Sequence, residues 1–322
     1  MTAARDSPAE PVRTVFFGSG RFAVPMLEAV HGAPEIELVG VVTAPDRPAG
    51  RRAVLTPVPV ARRARELGLP LLQPARLRAP DAVAEVAALE PALGVLADYG
   101  QIVPPSVLEI PAHGILNVHP SALPRHRGAT PIPATIAAGD STAAVTLIRM
   151  DEGLDTGPIV ATEQWPLDGT ETAETLEAEA SARGAELLRR MLPAWLAGLI
   201  TPAPQSDIDM TLTKPLRRED GRLDPALPAI DLERRVRAHV PWPGSFVDTG
   251  SGRLIIHAAN VLGGPAGEPA GRVVADGDGL ALTTADGRLR ILRAQLAGRR
   301  VMDAASLRRG APELVGQTVG LR

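Results

Sequence analysis

Three side chains in the middle of the chain could share chemistry: Asn117, His119 and Asp155. Asn117-Val118-His119 ends a short apolar run, Gly114 to Val118, that reads as a strand. At the two-residue period of a strand, Asn117 and His119 fall on one side and emerge at its carboxyl end. Asp155 stands in Met150-Asp151-Glu152-Gly153-Leu154-Asp155-Thr156-Gly157-Pro158, a glycine-punctuated loop of the kind that closes over a substrate. Taken singly, each has an ordinary structural reading: asparagine at a strand end makes turns, a lone histidine satisfies a polar neighbour, and aspartate before Thr-Gly caps or turns. Taken together they supply an amide donor, an imidazole and a carboxylate, with no activated serine or cysteine beside them. That set suits direct transfer of a group between two bound substrates. The chain has no cysteine, which excludes a thiolate nucleophile, a disulfide framework and a Cys-based metal site.

Parallel sheets open their sites at the carboxyl ends of the strands, and the elements around these residues follow that pattern. Val12 to Gly18 reads as a buried strand, Val24, Leu27 and Val30 as the apolar stripe of a helix, and Ile36 to Thr43 as a second strand. Strand, helix, strand at this spacing predicts a right-handed parallel unit. Helices near Pro57 to Leu67 and Asp81 to Leu89 follow, then a strand over Leu93 to Ala97. Ala143 to Met150 and Gly157 to Trp165 read as two strands joined across the Asp151-Glu152-Gly153 turn. A helix from about Glu171 to Leu199 ends this part at Gly198 and Pro202. Beyond a Pro-rich, aperiodic stretch to Gly221, short strands are predicted at Gly244 to Thr249, Arg253 to Ala259, Gly271 to Ala275, Gly279 to Thr284 and Arg288 to Ala294. The expected fold is therefore α/β, a Rossmann-like, mostly parallel sheet followed by a small all-β, OB-like barrel. A length of 322 residues accommodates two cores; the expected boundaries are 1–200, a linker 201–219, and 220–322.

Gly18-Ser19-Gly20-Arg21-Phe22-Ala23 fits the G-x-G-x-x-G/A turn of dinucleotide-binding folds. The second strand, however, ends Val41-Val42-Thr43 without the acidic residue that would hold a ribose. The glycines are better read as allowing a tight turn and close helix packing, and no NAD is expected. The formal net charge is −3, yet charge is unevenly distributed. Eight arginines face one acid between Arg47 and Arg78, and seven face one acid between Arg288 and Arg309. Two basic segments on an acidic protein are either solvated faces or one positive surface. No apolar run is long enough to span a bilayer, and Met1 to Pro11 lacks the basic start and apolar centre of a signal peptide, so a cytoplasmic protein without membrane attachment is expected.

Asn117-Val118-His119-Pro120-Ser121, the run Leu123-Pro124-Arg125-His126-Arg127-Gly128-Ala129-Thr130-Pro131-Ile132, and Asp151-x-Gly-Leu-Asp-Thr-Gly resemble the 10-formyltetrahydrofolate-dependent formyltransferase family. The resemblance implies a formyl transfer with Asn117, His119 and Asp155 as the catalytic set. It implies that Ser121, Ala122, Leu123, Pro124, Arg125, His126, Arg127 and Gly128 form the folate-binding loop. It implies 10-formyltetrahydrofolate as donor substrate and no metal. Thr43 to Arg51 followed by Pro57-Val58 is similar to the tRNA-contacting insertion loop of the branch acting on methionyl-tRNA, with Arg51 as its main contact. The segments Leu212 to Asp224, Val240 to Gly244 and Gly298 to Met302 resemble that branch as well. The implied acceptor is the amino group of methionine on initiator tRNA, for translation initiation, and the implied tRNA contacts are Arg47, Arg51, Arg52, Arg299 and Arg300. A monomer is expected. The loop Ala44 to Thr56, with its prolines and Gly50, is expected to be exposed and irregular. The chain departs from the family at Asp98, where a small apolar residue usually precedes Tyr99-Gly100, and at Pro215 and Pro225 in the linker. The nearest rival is a formyltransferase of a sugar-nucleotide amine, which would share the Asn, His and Asp set without the Arg51 loop. Rivals of other classes are a binding module without activity and the NAD enzyme suggested by the glycine turn.

Overall fold

The computed structural model describes residues 10–49, 54–264 and 267–320. The chain divides into two compact units. The first comprises Met1–Ala129, Ala143–Trp165 and Glu177–Leu212; the second comprises Thr130–Thr142, Pro166–Leu176 and Thr213–Arg322.

In the first unit, β1 (Val12–Gly18), α1 (Val24–His31) and β2 (Ile36–Val42) form the parallel start that the sequence predicts. Two short strands, β3 (Arg47–Ala49) and β4 (Val54–Thr56), pair antiparallel with Arg47 opposite Thr56. The expected irregular loop is thus a small hairpin where it is described. Its Arg47, Pro48, Val54 and Leu55 are exposed as expected. Next come α2 (Pro59–Glu66), β5 (Leu71–Leu72), α3 (Pro80–Ala88), β6 (Leu93–Ala97), α4 (Pro105–Leu108) and β7 (Ile115–His119). The helices α1 to α4 each carry proline at their first turn, where a missing N–H costs nothing and φ is already helical. After the two-residue β8 (Arg127–Gly128) the chain contributes helix α5 (Pro131–Ala138) to the second unit, then β9 (Thr142–Arg149) and β10 (Ile159–Pro166) complete the sheet, and α6 (Ala173–Leu196) follows, its first turn counted with the second unit.

The seven strands run in the order β10-β9-β7-β6-β1-β2-β5, with β7, β6, β1, β2 and β5 parallel and β9 antiparallel to β7. Strands β1, β6 and β7 lie side by side at the middle, with Phe17 opposite Leu96 and Leu96 opposite Asn117. Every residue of β6 and β7 is buried, as expected for a parallel strand covered on both faces. One layer of the core gathers Val15, Phe17, Leu77, Val86, Leu96, Tyr99, Val107 and Ile115. With the strands so fixed, the residues at the carboxyl ends of β1, β6 and β7 are neighbours.

Closing the first unit, the strap from Thr201 reaches β11 (Leu212–Thr213). In the second unit, α7 (Ala229–Ala238) precedes β12 (Ser245–Thr249), β13 (Gly252–Leu262), β14 (Val273–Asp276), β15 (Gly279–Thr283), β16 (Arg288–Leu296) and β17 (Met302–Asp303), and α8 (Ala304–Gly310) follows. The sheet order is β12-β13-β16-β15-β14, with β17 beside β16 and the ladders between them antiparallel, giving a barrel-like domain. Register shifts in β13 around Ala258 bend the long strand. Leu254, Leu280, Leu282 and Leu289 fill its core together with Leu232 and Val236 of α7 and Leu307 of α8. Helices α4, α5, α7 and α8 escape the sequence reading, which carries only strands in the C-terminal part. Among the described residues, no helix is long and apolar enough to cross a membrane.

Candidate active site

Asn117 and His119 lie on β7 one strand period apart, and both are buried. Their common partner is Asp155. Its Oδ1 accepts a hydrogen bond from Asn117 Nδ2 at 3.2 Å, and its Oδ2 lies 3.6 Å from His119 Nδ1. Oδ2 also accepts the Gly128 N–H at 2.8 Å. The cluster is nearly shut off from water, the His119 and Asp155 side chains being 6% and 13% exposed. A carboxylate so shielded requires donors, and the amide and the backbone N–H supply them. Asp155 takes φ +53° and His126 φ +59°, conformations uncommon for residues bearing a Cβ and therefore held by their surroundings.

His119 Nε2 lies 3.0 Å from the His126 carbonyl. A carbonyl only accepts, so Nε2 carries the proton of that bond and Nδ1 is left facing the carboxylate. The structure thus brings the three expected residues into one cluster and adds the backbone of Gly128.

The loop that the resemblance assigns to folate is largely engaged with the protein itself. Ser121 Oγ donates to the Arg125 carbonyl at 2.7 Å, and Thr146 Oγ1 donates to the Ser121 carbonyl at 2.7 Å. His126 N–H donates to Thr211 Oγ1 at 2.8 Å and Arg127 N–H to the Thr211 carbonyl at 3.0 Å. Ser121, Leu123, His126 and Arg127 are buried, while Ala122, Pro124, Arg125 and Gly128 are half-buried. The buried members build the loop's shape and the half-buried ones border whatever it encloses.

Asp98 follows β6 directly and so stands beside the end of β7. It takes φ +43°. One side of the residue meets solvent, but burial by surrounding protein, and secondarily the Glu177 carboxylate, push its pKa up to about 6. Its carbonyl accepts the N–H groups of Ser19 and Gly20 at 2.9 and 3.3 Å. Those are turn donors of the kind a pyrophosphate would use. A Cβ on Gly18 would come 2.9 Å from the Ala97 carbonyl oxygen, and one on Gly20 would overlap the Asp98 carboxylate. The glycine turn is therefore a close-packing device between β1 and β6.

Among the described residues no group of three His, Asp or Glu side chains gathers where it could hold a metal. Arg47 is exposed on β3, and Arg299 and Arg300 are exposed after β16; Arg51 and Arg52 lie outside the described residues.

The sequence reading missed the strap before β11. Gln205 Nε2 donates to the carbonyls of Asp155 and Gly157 at 2.8 and 2.7 Å, and its Oε1 accepts from Arg127 Nε and Nη2 at 3.1 and 2.9 Å. An aperiodic Pro-rich stretch offers no burial pattern from which this could be read.

The chain matches the family described as Formyl transferase over residues 12–192, and that family's C-terminal domain over residues 215–312. It is 44% identical over 299 residues to methionyl-tRNA formyltransferase of Myxococcus xanthus, covering 92% of this chain and 95% of that one. It is 45% identical over 308 residues to methionyl-tRNA formyltransferase of Halorhodospira halophila, covering 95% and 99%. The N-formyltransferase from Helicobacter canadensis, solved with folinic acid and dTDP-3-aminofucose, superposes with a TM-score of 0.65 at 15% identity over 87% of this chain and 98% of that one. At that identity the likeness is one of fold. With both domains matched and such identity along nearly its whole length, the chain belongs to the methionyl-tRNA formyltransferases of the formyl transferase family.

Proposed function

We propose that this protein transfers the formyl group of 10-formyltetrahydrofolate to the amino group of methionine on initiator tRNA, giving the formylated tRNA that starts translation. Asn117, His119 and Asp155 form the catalytic set. The observation that carries the proposal is the shielded cluster in which one carboxylate holds the Asn117 amide, the Gly128 N–H and the His119 ring within a few ångströms.

The neutral methionyl amine attacks the formyl carbon on N10, forming a C–N bond and a tetrahedral oxyanion. The C–N10 bond then breaks, the formylated amine loses a proton and N10 gains one. Asn117 keeps one N–H on Asp155 and offers the other to the oxyanion, a preorganised donor in a site with little water. His119, whose Nε2 donates to the His126 carbonyl, takes up and returns the proton at Nδ1, where Asp155 stabilises the imidazolium.

The loop Ser121 to Gly128 borders the folate, chiefly through its half-buried Ala122, Pro124, Arg125 and Gly128. The arginines Arg47, Arg51, Arg52, Arg299 and Arg300 contact the tRNA. Residues 1–200 constitute the catalytic domain and 220–322 the tRNA-binding barrel, joined by 201–219. The protein works in the cytoplasm as a monomer, without membrane attachment.

The test is to incubate the protein with 10-formyltetrahydrofolate and charged initiator tRNA and to measure formylmethionine, with an amino-sugar nucleotide as competing acceptor. Formylmethionine with no formylated sugar is expected. Efficient formylation of the sugar with none of the tRNA would overturn the acceptor.

A further inference from the structure

We infer that Gln205 is a positioning residue for formyl transfer: its carboxamide clamps the backbone of the Asp155 loop to the Arg127 guanidinium and thereby aims the Asp155 carboxylate. This rests on the reading that Asp155 belongs to the catalytic set.

Gln205 is half-buried in a stretch whose neighbours, 203–204 and 206–210, are exposed. Its side chain makes four hydrogen bonds. Two are donated, to the Asp155 and Gly157 carbonyls, and two are accepted from Arg127 Nε and Nη2. Both amide hydrogens and both carbonyl lone pairs are therefore engaged.

The anchor on the far side is rigid. The Arg127 side chain is 6% exposed and its Nη1 reaches Asp207 Oδ1 at 3.3 Å, although Asp207 itself is 87% exposed. Bonds from a charged donor within a protein interior are the strong kind. On the near side, Gln205 grips the Asp155 carbonyl itself and that of Gly157 two residues on, fixing the backbone that leaves Asp155. That residue holds φ +53°, uncommon outside glycine though easier for aspartate than for most residues, and the two Gln205 bonds help to hold it there. The carboxylate then divides between Asn117 on Oδ1 and Gly128 and His119 on Oδ2. A small rotation of the Asp155 backbone would break that division, and catalytic geometry tolerates little displacement.

Only a carboxamide serves both ends. Glutamate could accept from Arg127 but has no N–H for the two carbonyls, and its charge would repel them. Thr211, on the same strap, ties down His126 and Arg127 through its hydroxyl and carbonyl. The strap is thus fastened to both loops that border the cluster.

The test compares Gln205→Glu, Gln205→Ala and Asp155→Ala in the full chain, with Glu186→Gln, on the exposed face of α6, as the control expected to turn over as wild type does. For both Gln205 variants, kcat should fall about 10- to 100-fold, with KM for tRNA and for the folate within about twofold. Hydrogen exchange at the Gly128 amide, which reports the Asp155 carboxylate directly, should quicken at least about tenfold while barrel amides keep their protection. Unchanged kcat in Gln205→Glu together with a large loss in Asp155→Ala would overturn the positioning role and leave the catalytic set standing. A fall in kcat with Gly128 exchange unchanged would likewise reject the aiming of Asp155. Normal turnover in Asp155→Ala would instead remove the reading on which the inference rests.

Discussion

The two units put their charged and titratable residues to different use. In the first, Asn117, His119, Ser121, His126, Arg127 and Thr146 are buried at the carboxyl edge of a parallel sheet. Each is held by partners such as the Asp155 carboxylate, the His126 carbonyl or the Gln205 carboxamide. In the second, the hydrophobic core is leucine, isoleucine, valine and alanine, with Ser245, Thr283 and His239 buried beside it, while Arg293, Arg299 and Arg300 stand outside. Desolvated groups act strongly over a few ångströms and cannot be left unpaired, so a site built from them demands exact company. Exposed charges act weakly at any one contact but together attract a polyanion over a Debye length. If the proposed function holds, the chain pairs a short-range chemical centre with exposed arginines that act at longer range, and substitutions separate the two.

The largest effect is expected at the centre. Asn117→Ala should lower kcat by on the order of 10²- to 10³-fold with little change in KM, because it removes a donor to charge that appears only in the transition state. Steady-state kinetics with charged tRNA measure this. Turnover near that of wild type would remove Asn117 from the reaction.

Next is a titratable group buried inside the second unit. His239 is buried, and burial, reinforced by Arg235 and opposed by Asp220, pulls its pKa down to about 4. Below the ordinary value of 6.5 the unfolded chain takes up a proton that the folded chain refuses, so stability rises with pH between about 4 and 6.5. At pH 5 the cost relative to pH 8 is about 2 kcal/mol. Denaturant titrations across that range should show the slope, and His239→Gln should flatten it. A wild-type barrel equally stable at both pH values would mean that this interior tolerates charge as the catalytic edge does.

A smaller, tRNA-specific effect is expected at Arg51. Arg51→Ala should lower kcat/KM for charged tRNA at least about tenfold, the worth of one good bidentate contact, and leave folate affinity unchanged. No change would remove the hairpin between Arg47 and Thr56 from the tRNA surface.

The smallest concerns the barrel. Arg300→Ala should weaken tRNA binding and make its log–log salt dependence shallower by about 0.7 to 0.9 if the guanidinium meets a phosphate. Here kcat at saturating tRNA should hold. Filter binding over a salt series decides it, and a fall in kcat with an unaltered slope would give this arginine a short-range role.

Much of this architecture is legible before any coordinates. The strand at Leu93 to Ala97 is found at its expected limits, and the strands at Val12 and Ile36 lie within a residue of theirs, because apolar β-branched runs bounded by glycine have few other uses. The one-sided placement of Asn117 and His119 follows from period two alone. What stays hidden has a common cause. Helix α5 begins at Pro131 and ends at Gly139 with φ +70°, and its Pro-x-Pro start reads as loop. Helices α7 and α8 lie in a part whose closely spaced glycines read as strand and turn. Asp98 is visible as a departure, but its raised pKa needs the protein packed around it and Glu177 nearby.

Sequence by itself determined the periodicities, hence which faces are buried, where the parallel strands end and which residue types wait there. Tertiary structure alone decided which distant segments meet those ends: that the strap at Gln205 grips the Asp155 loop and the Arg127 side chain, and that the Asp98 carbonyl takes the turn donors of Ser19 and Gly20. The physical reason is that burial patterns are local and repeat along the chain, whereas a buried polar group can be satisfied by any donor or acceptor the fold delivers to it. Nothing in the spacing of residues announces which one arrives.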